Sequence, residues 1–287
     1  MDISIIIPSF NTNHLLSTCL RTVVSSLSTS SIRYEIIVVD NGSEDGSVAM
    51  VKKDFPEVIL IQNKKNVGYG KSNNMGIKIA TGEFILLLNS DIEVLDQGIE
   101  SLYSFIRTRK NIFLGGRLLN SDVSPQSSSG PMYTLPVVFA MLFLKGDILG
   151  ITRSSPSRIS DVDWVSGACL FGRKEDFLAV GLFDEKIFMY MDEIDFLYRA
   201  KRKGYSIVYN PFARFIHVGA ASSGSKKTPI LNIYTGLLYF YTKHRSPLEL
   251  KVLKVFLRVK AYMVIALCTF IGRKETVSIY EKALALV

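Results

Sequence analysis

The sequence has little cysteine, and its few cysteines form no ligand pattern. Cys19, Cys169 and Cys268 are the only three in 287 residues, and they lie far apart along the chain. Structural zinc sites use closely spaced cysteine or histidine ligands, and disulfide frameworks are typical of small secreted chains. The cysteine pattern therefore argues against both features and is typical of a protein in a reducing compartment.

Secretion signals and long apolar runs are also lacking. The chain opens with Asp2 and an apolar segment without a basic region or cleavage site, so we expect no signal peptide. Residues 261–272 form an apolar stretch of about twelve residues, whereas a membrane-spanning helix needs about 20. Basic residues flank this stretch, and others, including Lys243 and His244, precede it. This pattern indicates a helix lying on anionic lipid. The alternative is a helix packed on the main domain or on a partner in a homo-oligomer.

Acidic residues are fewer than basic ones. The chain has 26 Asp and Glu against 34 Lys and Arg, a formal net charge of +8 with a pI near 9.3. A basic surface suits a polyanionic partner such as nucleic acid, an anionic membrane or a phosphorylated substrate. Nucleic acid is the least favoured partner, because the basic residues concentrate in the tail without a stacking platform or a known binding module.

Short apolar strands alternate with helices in the first part of the chain. Strands are predicted there at residues 3–7, 36–39, 58–61 and 84–88, and later in the chain at residues 164–171, 206–209 and 212–216. This alternation predicts an α/β fold with a mostly parallel, doubly wound sheet. We place the main domain at residues 1–220 and a basic, apolar helical region at residues 221–287.

Polar turns follow the predicted strands, at residues 8–11, 40–43, 63–70 and 89–91. Since ligands bind beyond the carboxyl ends of the strands in such sheets, we expect these turns to converge on one cleft. Residues 120–161 are different: they are rich in Ser, Pro and Gly around an apolar stretch at 135–149. That composition predicts a mobile loop with an interfacial or substrate-facing segment.

Two groups of residues have the chemistry of a catalytic site. The first is the turn Asn89-Ser90-Asp91, where a carboxylate at a strand end can hold Mg²⁺ or Mn²⁺ against a diphosphate, and the neutral imidazole of His217 can join it. The second is Asp192-Glu193-Ile194-Asp195, where close like charges raise a pKa and suit a general base. The alternatives are a simple strand-ending turn, a structural histidine and a solvated acidic helix start.

Other segments have the character of a nucleotide site. Asp40 follows a buried strand, where its carboxylate can accept a hydrogen bond from a base or ribose. The loop at residues 66–70, with Asn73, is rich in Gly and Asn and allows close backbone approach to a nucleotide, but it matches neither a Walker A loop nor a dinucleotide fingerprint. Trp164 can stack on a sugar or fill the core.

Taken in order, these segments resemble glycosyltransferase family 2, whose members have the GT-A fold, and most of all its bacterial rhamnosyltransferase-like branch. The resemblance covers roughly residues 3–220. Its motifs are Ile-Ile-Ile-Pro-Ser-Phe-Asn, Ile-Val-Val-Asp-Asn-Gly-Ser, Asn-Val-Gly-Tyr-Gly with Asn73, Leu-Leu-Leu-Asn-Ser-Asp, Trp-Val-Ser-Gly-Ala, Tyr-Met-Asp-Glu-Ile-Asp-Phe and a late His217.

The resemblance implies a role for each matching residue. Asp91 and His217 would contact Mn²⁺ or Mg²⁺, and Glu193 would be the catalytic base, with Asp192 the second candidate. The residues expected to bind the nucleotide-sugar are Pro8, Ser9, Asn11, Asp40, Asn66, Gly68, Asn73, Asn89, Ser90, Trp164 and Gly167. Two positions depart from the family pattern. Asn89 replaces the first carboxylate of the DxD-type motif, and Asp192-Glu193 stands where the branch often has Glu-Asp.

The expected function is an inverting, metal-dependent transfer of a sugar to a hydroxyl of a lipid-linked saccharide in cell-surface polysaccharide synthesis. The expected location is the cytoplasmic face of the membrane. The resemblance favours dTDP-rhamnose as donor, and a UDP-hexose stays open. The alternatives are a sugar nucleotidyltransferase and a catalytically silent membrane-surface binding protein. The second alternative stays open because Asn89 replaces the first carboxylate of the DxD-type motif.

Overall fold

The computed structural model describes residues 1–219 and 227–287. Strands and helices alternate through its first part. These elements are β1 (Ile3–Ser9), α1 (Asn13–Leu27), β2 (Tyr34–Asp40), α2 (Ser47–Asp54), β3 (Ile59–Gln62), α3 (Tyr69–Ile79), β4 (Phe84–Leu88), β5 (Ile92–Val94), α4 (Gly98–Ile106) and β6 (Ile112–Leu119).

The second part begins with short elements and ends in long helices. Its elements are β7 (Pro125–Gln126), β8 (Ser129–Gly130), α5 (Leu135–Phe143), β9 (Ser160–Asp161), β10 (Trp164–Val165), β11 (Cys169–Arg173), α6 (Lys174–Val180), α7 (Asp192–Arg202), β12 (Ser206–His217), α8 (Lys227–His244), α9 (Pro247–Phe270) and α10 (Lys274–Leu284).

The central sheet has the order β3-β2-β1-β4-β11-β6-β12-β5, with β7 and β9 paired at its side. The strands β3, β2, β1 and β4 are parallel, as are β6 and β12. The strand β11 lies antiparallel between β4 and β6, and β5 is antiparallel to β12. The predicted α/β fold with a mostly parallel sheet is therefore confirmed, with antiparallel strands added in the later part.

Helices cover both faces of the sheet because side chains alternate along each strand. In β1, Ile5 and Ile7 pack with Leu20 of α1 in one core cluster. The side chain of Ile6 points the other way and belongs to a second cluster with Ile77 of α3. All of these side chains are fully buried, which explains why the strand is a continuous apolar run.

The strand predicted at residues 164–171 is interrupted. It forms β10 and β11, which lie in different sheets, and residues 166–168 between them line the cleft described below. Conversely, two predicted strand segments, 206–209 and 212–216, form the single strand β12. A register shift between Asn210 and Arg214 lets the strand continue.

Residues 120–161 contain more regular structure than the predicted loop. The helix α5 forms at Leu135–Phe143, beginning next to Pro136. Its rings Phe139 and Phe143 contact Phe256 of α9. The loop prediction was wrong for this stretch because the apolar residues find a partner in the tail, which lies more than one hundred residues later in the sequence.

The tail is helical, as expected, and one side of it packs on the main domain. Leu237 and Phe240 of α8, and Leu253 and Leu257 of α9, are fully buried in the same cluster as the sheet residues. The opposite side of α9 is exposed and apolar, ending at Phe270, which is 90% exposed. Within residues 1–219 and 227–287, no helix has the length and apolarity needed to cross a bilayer.

Candidate active site

A cleft of about 310 Å³ opens where β1 and β4 end and α7 begins. This volume is within the range typical of small-molecule sites. The predicted residues that line it are Pro8, Ser9, Asn66, Asn89, Ser90, Asp91, Trp164, Gly167, Asp192, Glu193 and His217. The structure thus brings residues from distant segments to one place, at the position expected for a parallel sheet.

Asn11 and Asp40 do not line this cleft. The Asn11 side-chain oxygen accepts a hydrogen bond from the Glu44 N–H, so it holds together two surface loops. One carboxylate oxygen of Asp40, Oδ2, accepts hydrogen bonds from the N–H groups of Gly42 and Ser43. The other oxygen, Oδ1, is buried and has no hydrogen-bond partner in the described structure.

Gly68 and Asn73 are also outside the cleft lining, and they shape the loop and helix behind it. Gly68 has a φ of 89°, and a Cβ placed there would lie 2.4 Å from the Phe188 carbonyl oxygen. The Asn73 side chain is fully buried and donates a hydrogen bond to the Tyr69 carbonyl. Their residue types follow from backbone geometry and packing rather than from direct contact with the cleft.

Asp91 and His217 lie side by side at one end of the cleft. The pairing of β5 with β12 sets His217 opposite Ile92, which follows Asp91 directly. Asp91 Oδ1 is 3.4 Å from His217 Nε2, and its Oδ2 accepts a hydrogen bond from the Gly219 N–H. The side-chain amide of Asn89 lies 3.3 Å from the same His217 nitrogen.

Gln126 fixes the orientation of the His217 ring. Its amide nitrogen donates to the carbonyl of His217 and to Asn120 Oδ1, which leaves its oxygen 2.7 Å from His217 Nδ1. That oxygen can only accept, so Nδ1 carries the hydrogen and Nε2 presents its lone pair towards Asp91. Burial lowers the pKa of His217, against the opposing charge of Asp91, which favours the neutral ring.

This pair has the ligand chemistry of an open metal site. Metal-binding imidazoles usually donate their second N–H to an oxygen acceptor, as His217 does to Gln126. The described residues contain no cluster of three or more His, Cys, Asp or Glu suited to an ion. Asp91 and His217 therefore fit an ion whose remaining ligands are diphosphate oxygens and water.

Asp192 and Glu193 begin α7 after a strained turn. Tyr190 and Met191 both have left-handed backbone angles, with φ of 64° and 66°, a conformation that costs side-chain-bearing residues free energy and clusters at functional sites. Gly236 of α8 packs against this turn, because a Cβ there would lie 2.8 Å from Met191 Cγ. The tail thus supports the turn that directs Asp192 and Glu193 into the cleft.

The two carboxylates have different surroundings. Asp192 is buried, whereas Glu193 is partly exposed. Burial, and then the negative charge of Glu193, raise the pKa of Asp192 well above its ordinary value, and Asp192 Oδ2 has no hydrogen-bond partner in the described structure. This environment favours the protonated form of Asp192, and the more exposed Glu193 is the carboxylate better placed to meet a substrate hydroxyl.

The third carboxylate of this segment, Asp195, is an anchor outside the cleft. It is fully buried and binds Arg199, Lys243 and His244. Burial alone would raise its pKa, but hydrogen bonds from His244 and Lys243 and the charge of Arg199 hold that pKa at about 2. Lys243 and His244, which the sequence placed on the basic membrane-facing side of the tail, are instead directed at Asp195.

Trp164 and Gly167 form a wall next to Glu193. Trp164 is buried, stacks on Tyr133 with an interplanar angle of 28°, and donates a hydrogen bond to the Pro131 carbonyl. Tyr69 donates a 2.6 Å hydrogen bond to the Gly167 carbonyl. A Cβ at Gly167 would lie 2.9 Å from that hydroxyl, so this position requires glycine.

Several lining residues were not singled out by the sequence, among them Tyr69, Gln126 and Arg153. Tyr69 lies within the Asn-Val-Gly-Tyr-Gly motif, so its position was a usable signal. Gln126 and Arg153 lie in the region interpreted as a loop, where no motif marks them. Only pairing with β6 and folding of the segment after α5 bring them to the cleft.

Comparison with known proteins identifies the family. The model of glycosyl transferase family 2 matches residues 4–159, more than half of the 287 residues. The chain belongs to glycosyl transferase family 2. The family resemblance of the sequence motifs is thereby confirmed, and this protein is a glycosyltransferase.

Relatives of the family 2 chain include a rhamnosyltransferase and a hexosyltransferase. It is 27% identical over 246 residues to N-acetylglucosaminyl-diphospho-decaprenol L-rhamnosyltransferase of Mycobacterium tuberculosis, covering 79% of this chain and 80% of that protein. It is 29% identical over 177 residues to the low-salt glycan biosynthesis hexosyltransferase Agl10 of Haloferax volcanii. That match covers 60% of this chain but only 55% of the Haloferax protein.

The fold also matches a solved glycosyltransferase. The structure of GalNAc-T7 with UDP, GalNAc and Mn²⁺ superposes with a TM-score of 0.60 at 18% identity, covering 84% of this chain and 50% of that one. At 18% identity the match supports the GT-A-like fold of the family 2 chain and only the fold.

Proposed function

We propose that this glycosyltransferase transfers a sugar, with inversion, from a nucleotide donor to a hydroxyl of a lipid-linked saccharide, and that it uses Mn²⁺ or Mg²⁺. The observation that supports this most is the shared cleft. Asp91 and His217 offer metal ligands, and Glu193 beside a protonated Asp192 offers a base, in one cavity.

Asp91 and His217 would hold the ion, and the remaining ligands would come from the donor and water. A bound divalent ion neutralises the charge that develops on the departing nucleoside diphosphate. Asn89 contributes no charge here. Its amide contacts His217 Nε2, so we expect it to help orient the ring or to bind a diphosphate oxygen.

Glu193 would take the proton from the acceptor hydroxyl as that oxygen attacks the anomeric carbon. Burial raises the pKa of Asp192 and favours its protonated form, whereas Glu193 is partly exposed and lines the cleft. A base acting on the acceptor requires only a single displacement, which inverts the configuration at the anomeric carbon.

The donor nucleotide would lie between the ends of β1 and β2. Pro8 and Ser9 line the cleft there, and Ser9 pairs in register with Asp40. Asp40 does not itself line the cleft, but the next residue, Asn41, does, and the buried Asp40 Oδ1 has no hydrogen-bond partner in the described structure. A buried acceptor without a donor costs about 1–3 kcal/mol, so an N–H of the base would be a favourable partner for this atom.

The sugar is proposed to be rhamnose from dTDP-rhamnose, in line with the Mycobacterium relative, and a UDP-hexose is the alternative. A thermal-shift screen of nucleotide-sugars with Mn²⁺ would decide. A ligand that binds only the folded protein at about 100 times its Kd stabilises it by about 2.7 kcal/mol. Stabilisation by UDP-sugars alone would contradict the dTDP assignment.

We propose that residues 1–220 are the catalytic domain and that residues 221–287 attach it to the inner face of the cytoplasmic membrane. The exposed apolar side of α9, including Tyr262, Met263 and Phe270, supports this placement. Arg258, Lys260, Arg273 and Lys274 flank it with positive charge, which suits anionic lipid. Self-association of the tail is the competing use of the same surface.

The decisive test of the enzyme assignment is the variant Glu193→Gln. We expect turnover of the donor identified above to fall by about 10²–10⁴-fold, while donor binding stays near wild type. Glu175→Gln is the matched control, because Glu175 is the second residue of α6, as Glu193 is of α7, and it is exposed. Undiminished turnover by Glu193→Gln would move the base to another residue.

A further inference from the structure

Among the residues that the structure describes, the cleft lining contains one fixed positive charge. Arg153 is the only Lys or Arg among the described residues that line it, although the chain has 34 such residues. None of the ion pairs formed by the described residues includes Arg153, and its side chain is exposed. A substrate-facing guanidinium without a carboxylate partner is available to an anionic ligand.

Aromatic side chains hold this guanidinium in place. Its Cζ lies 5.5 Å from the centroid of the Trp164 ring, within cation–π range. Its Nη2 makes a long hydrogen bond of 3.5 Å to the hydroxyl of Tyr133, which stacks on Trp164. These contacts use one N–H of the five that a guanidinium carries and orient the others.

Arg153 lies at the Glu193 end of the cleft. Partial desolvation in the cleft opposes its charge, but the Tyr133 phenol and the carboxylates Asp147 and Glu193 favour it, so that its pKa is raised. The Trp164 ring that it contacts belongs to β10, which packs against α7, the helix of Glu193. The positive charge is therefore on the same side of the cleft as the base that would meet the acceptor.

Exposed apolar residues come directly before Arg153 in the chain. Ile148 is 80% exposed, Leu149 is 65% exposed and Ile151 is 50% exposed. Hydrogen bonds from the N–H groups of Ile151 and Thr152 to the Gly146 carbonyl close this loop on itself. One short segment, residues 144–153, thus presents an apolar surface and then a cation that enters the cleft.

We propose that Arg153 binds the phosphate of an acceptor in which a diphosphate joins the saccharide to a long apolar chain. Residues 148–151 would contact the first part of that chain. Guanidinium groups bind phosphate oxygens through paired N–H donors, and apolar side chains bind the adjoining lipid. This inference rests on the proposed function, because it takes the Glu193 end of the cleft as the acceptor side.

Farnesyl diphosphate and farnesol are a matched pair of probes that share the same apolar chain and differ in the diphosphate group. Binding is followed by the fluorescence of Trp164, the single tryptophan of the chain, with the donor end filled by Mn²⁺ and saturating dTDP or UDP, whichever binds. We expect farnesyl diphosphate to bind more tightly than farnesol. Arg153→Gln should weaken binding of the diphosphate by about 10- to 100-fold, and Arg153→Lys by less.

Arg158→Gln is the control, because Arg158 is exposed and outside the cleft lining; it should bind like wild type. The proposal would be overturned if farnesyl diphosphate did not bind, or bound no more tightly than farnesol. It would also be overturned if Arg153→Gln bound farnesyl diphosphate as tightly as wild type does, or if farnesyl diphosphate displaced the nucleotide. Failure of this proposal can be told apart from failure of the proposed function. If only this proposal fails, Mn²⁺ and the nucleotide still bind to wild type and to the Arg153 variants. If the proposed function fails, Mn²⁺ and nucleotide would not bind the wild type at all.

Discussion

The contact between Gln126 and His217 gives a sharp test of the metal site. Replacing Gln126 with Leu removes the oxygen that accepts the Nδ1 hydrogen, 2.7 Å away, and the amide that holds the His217 carbonyl. The ring is then free to move its hydrogen to Nε2, the nitrogen that faces Asp91 at 3.4 Å. Loss of such a supporting contact typically costs about 10- to 100-fold in metal affinity, or about 1.4–2.8 kcal/mol.

The assay is a Mn²⁺ titration of nucleotide binding by calorimetry. Gln126→Leu should need about 10- to 100-fold more Mn²⁺ for half-saturation. Gln126→Glu keeps an acceptor for the Nδ1 hydrogen but loses the amide that donates to the His217 carbonyl, so its Mn²⁺ requirement should lie between those of wild type and Gln126→Leu. Gln62→Leu, on the edge strand β3 and outside the cleft, serves as the control. An unchanged Mn²⁺ requirement in Gln126→Leu would refute the assignment of His217 as a metal ligand.

Three further outcomes follow from individual contacts. Folding lowers the pKa of Asp195 from 3.8 to about 2. The ionised Asp195 therefore contributes about 2 kcal/mol to the free energy of unfolding above about pH 4, and this contribution is lost as pH falls towards 2. Urea unfolding should show this loss of stability between about pH 4 and pH 2 in wild type and not in Asp195→Asn. Tyr69→Phe leaves the Gly167 carbonyl without its donor and should lower the free energy of unfolding by about 1–3 kcal/mol. An unchanged denaturation midpoint would contradict the contribution of this hydrogen bond. Phe270→Glu should weaken binding to anionic vesicles in a salt-dependent co-sedimentation assay, while Val24→Glu, on α1, should not. If Phe270→Glu and Val24→Glu bind the vesicles equally well, self-association of the tail is favoured instead.

The fold of the first ninety or so residues was predictable because its signals are local. The strands β1, β2 and β4 are continuous apolar runs, and each ends in a polar turn. Those turns contain Asn89 and Asp91, and the rule for parallel sheets places them at the cleft without any knowledge of tertiary contacts. Asp192 and Glu193 were found for a related reason, since an acidic helix start among apolar residues stands out in a sequence.

The features that escaped prediction depend on contacts between distant segments. The break between β10 and β11 follows from the contact between Tyr69 and Gly167, which are 98 positions apart. The roles of Gln126 and Arg153 depend on where β7 and the loop after α5 are placed, and neither segment has a strong periodicity. The burial that raises the pKa of Asp192, and that Glu193 does not share, is not revealed by a run of carboxylates alone.

The assignment of one metal ligand and one base to a common cleft is the central claim. Calorimetry of nucleotide binding to wild type and Asp91→Asn, with and without Mn²⁺, tests it most directly. We predict that Mn²⁺ strongly enhances binding to wild type and has little effect on Asp91→Asn, which keeps the shape of the side chain but removes its charge. Equal enhancement by Mn²⁺ in both proteins would contradict the claim.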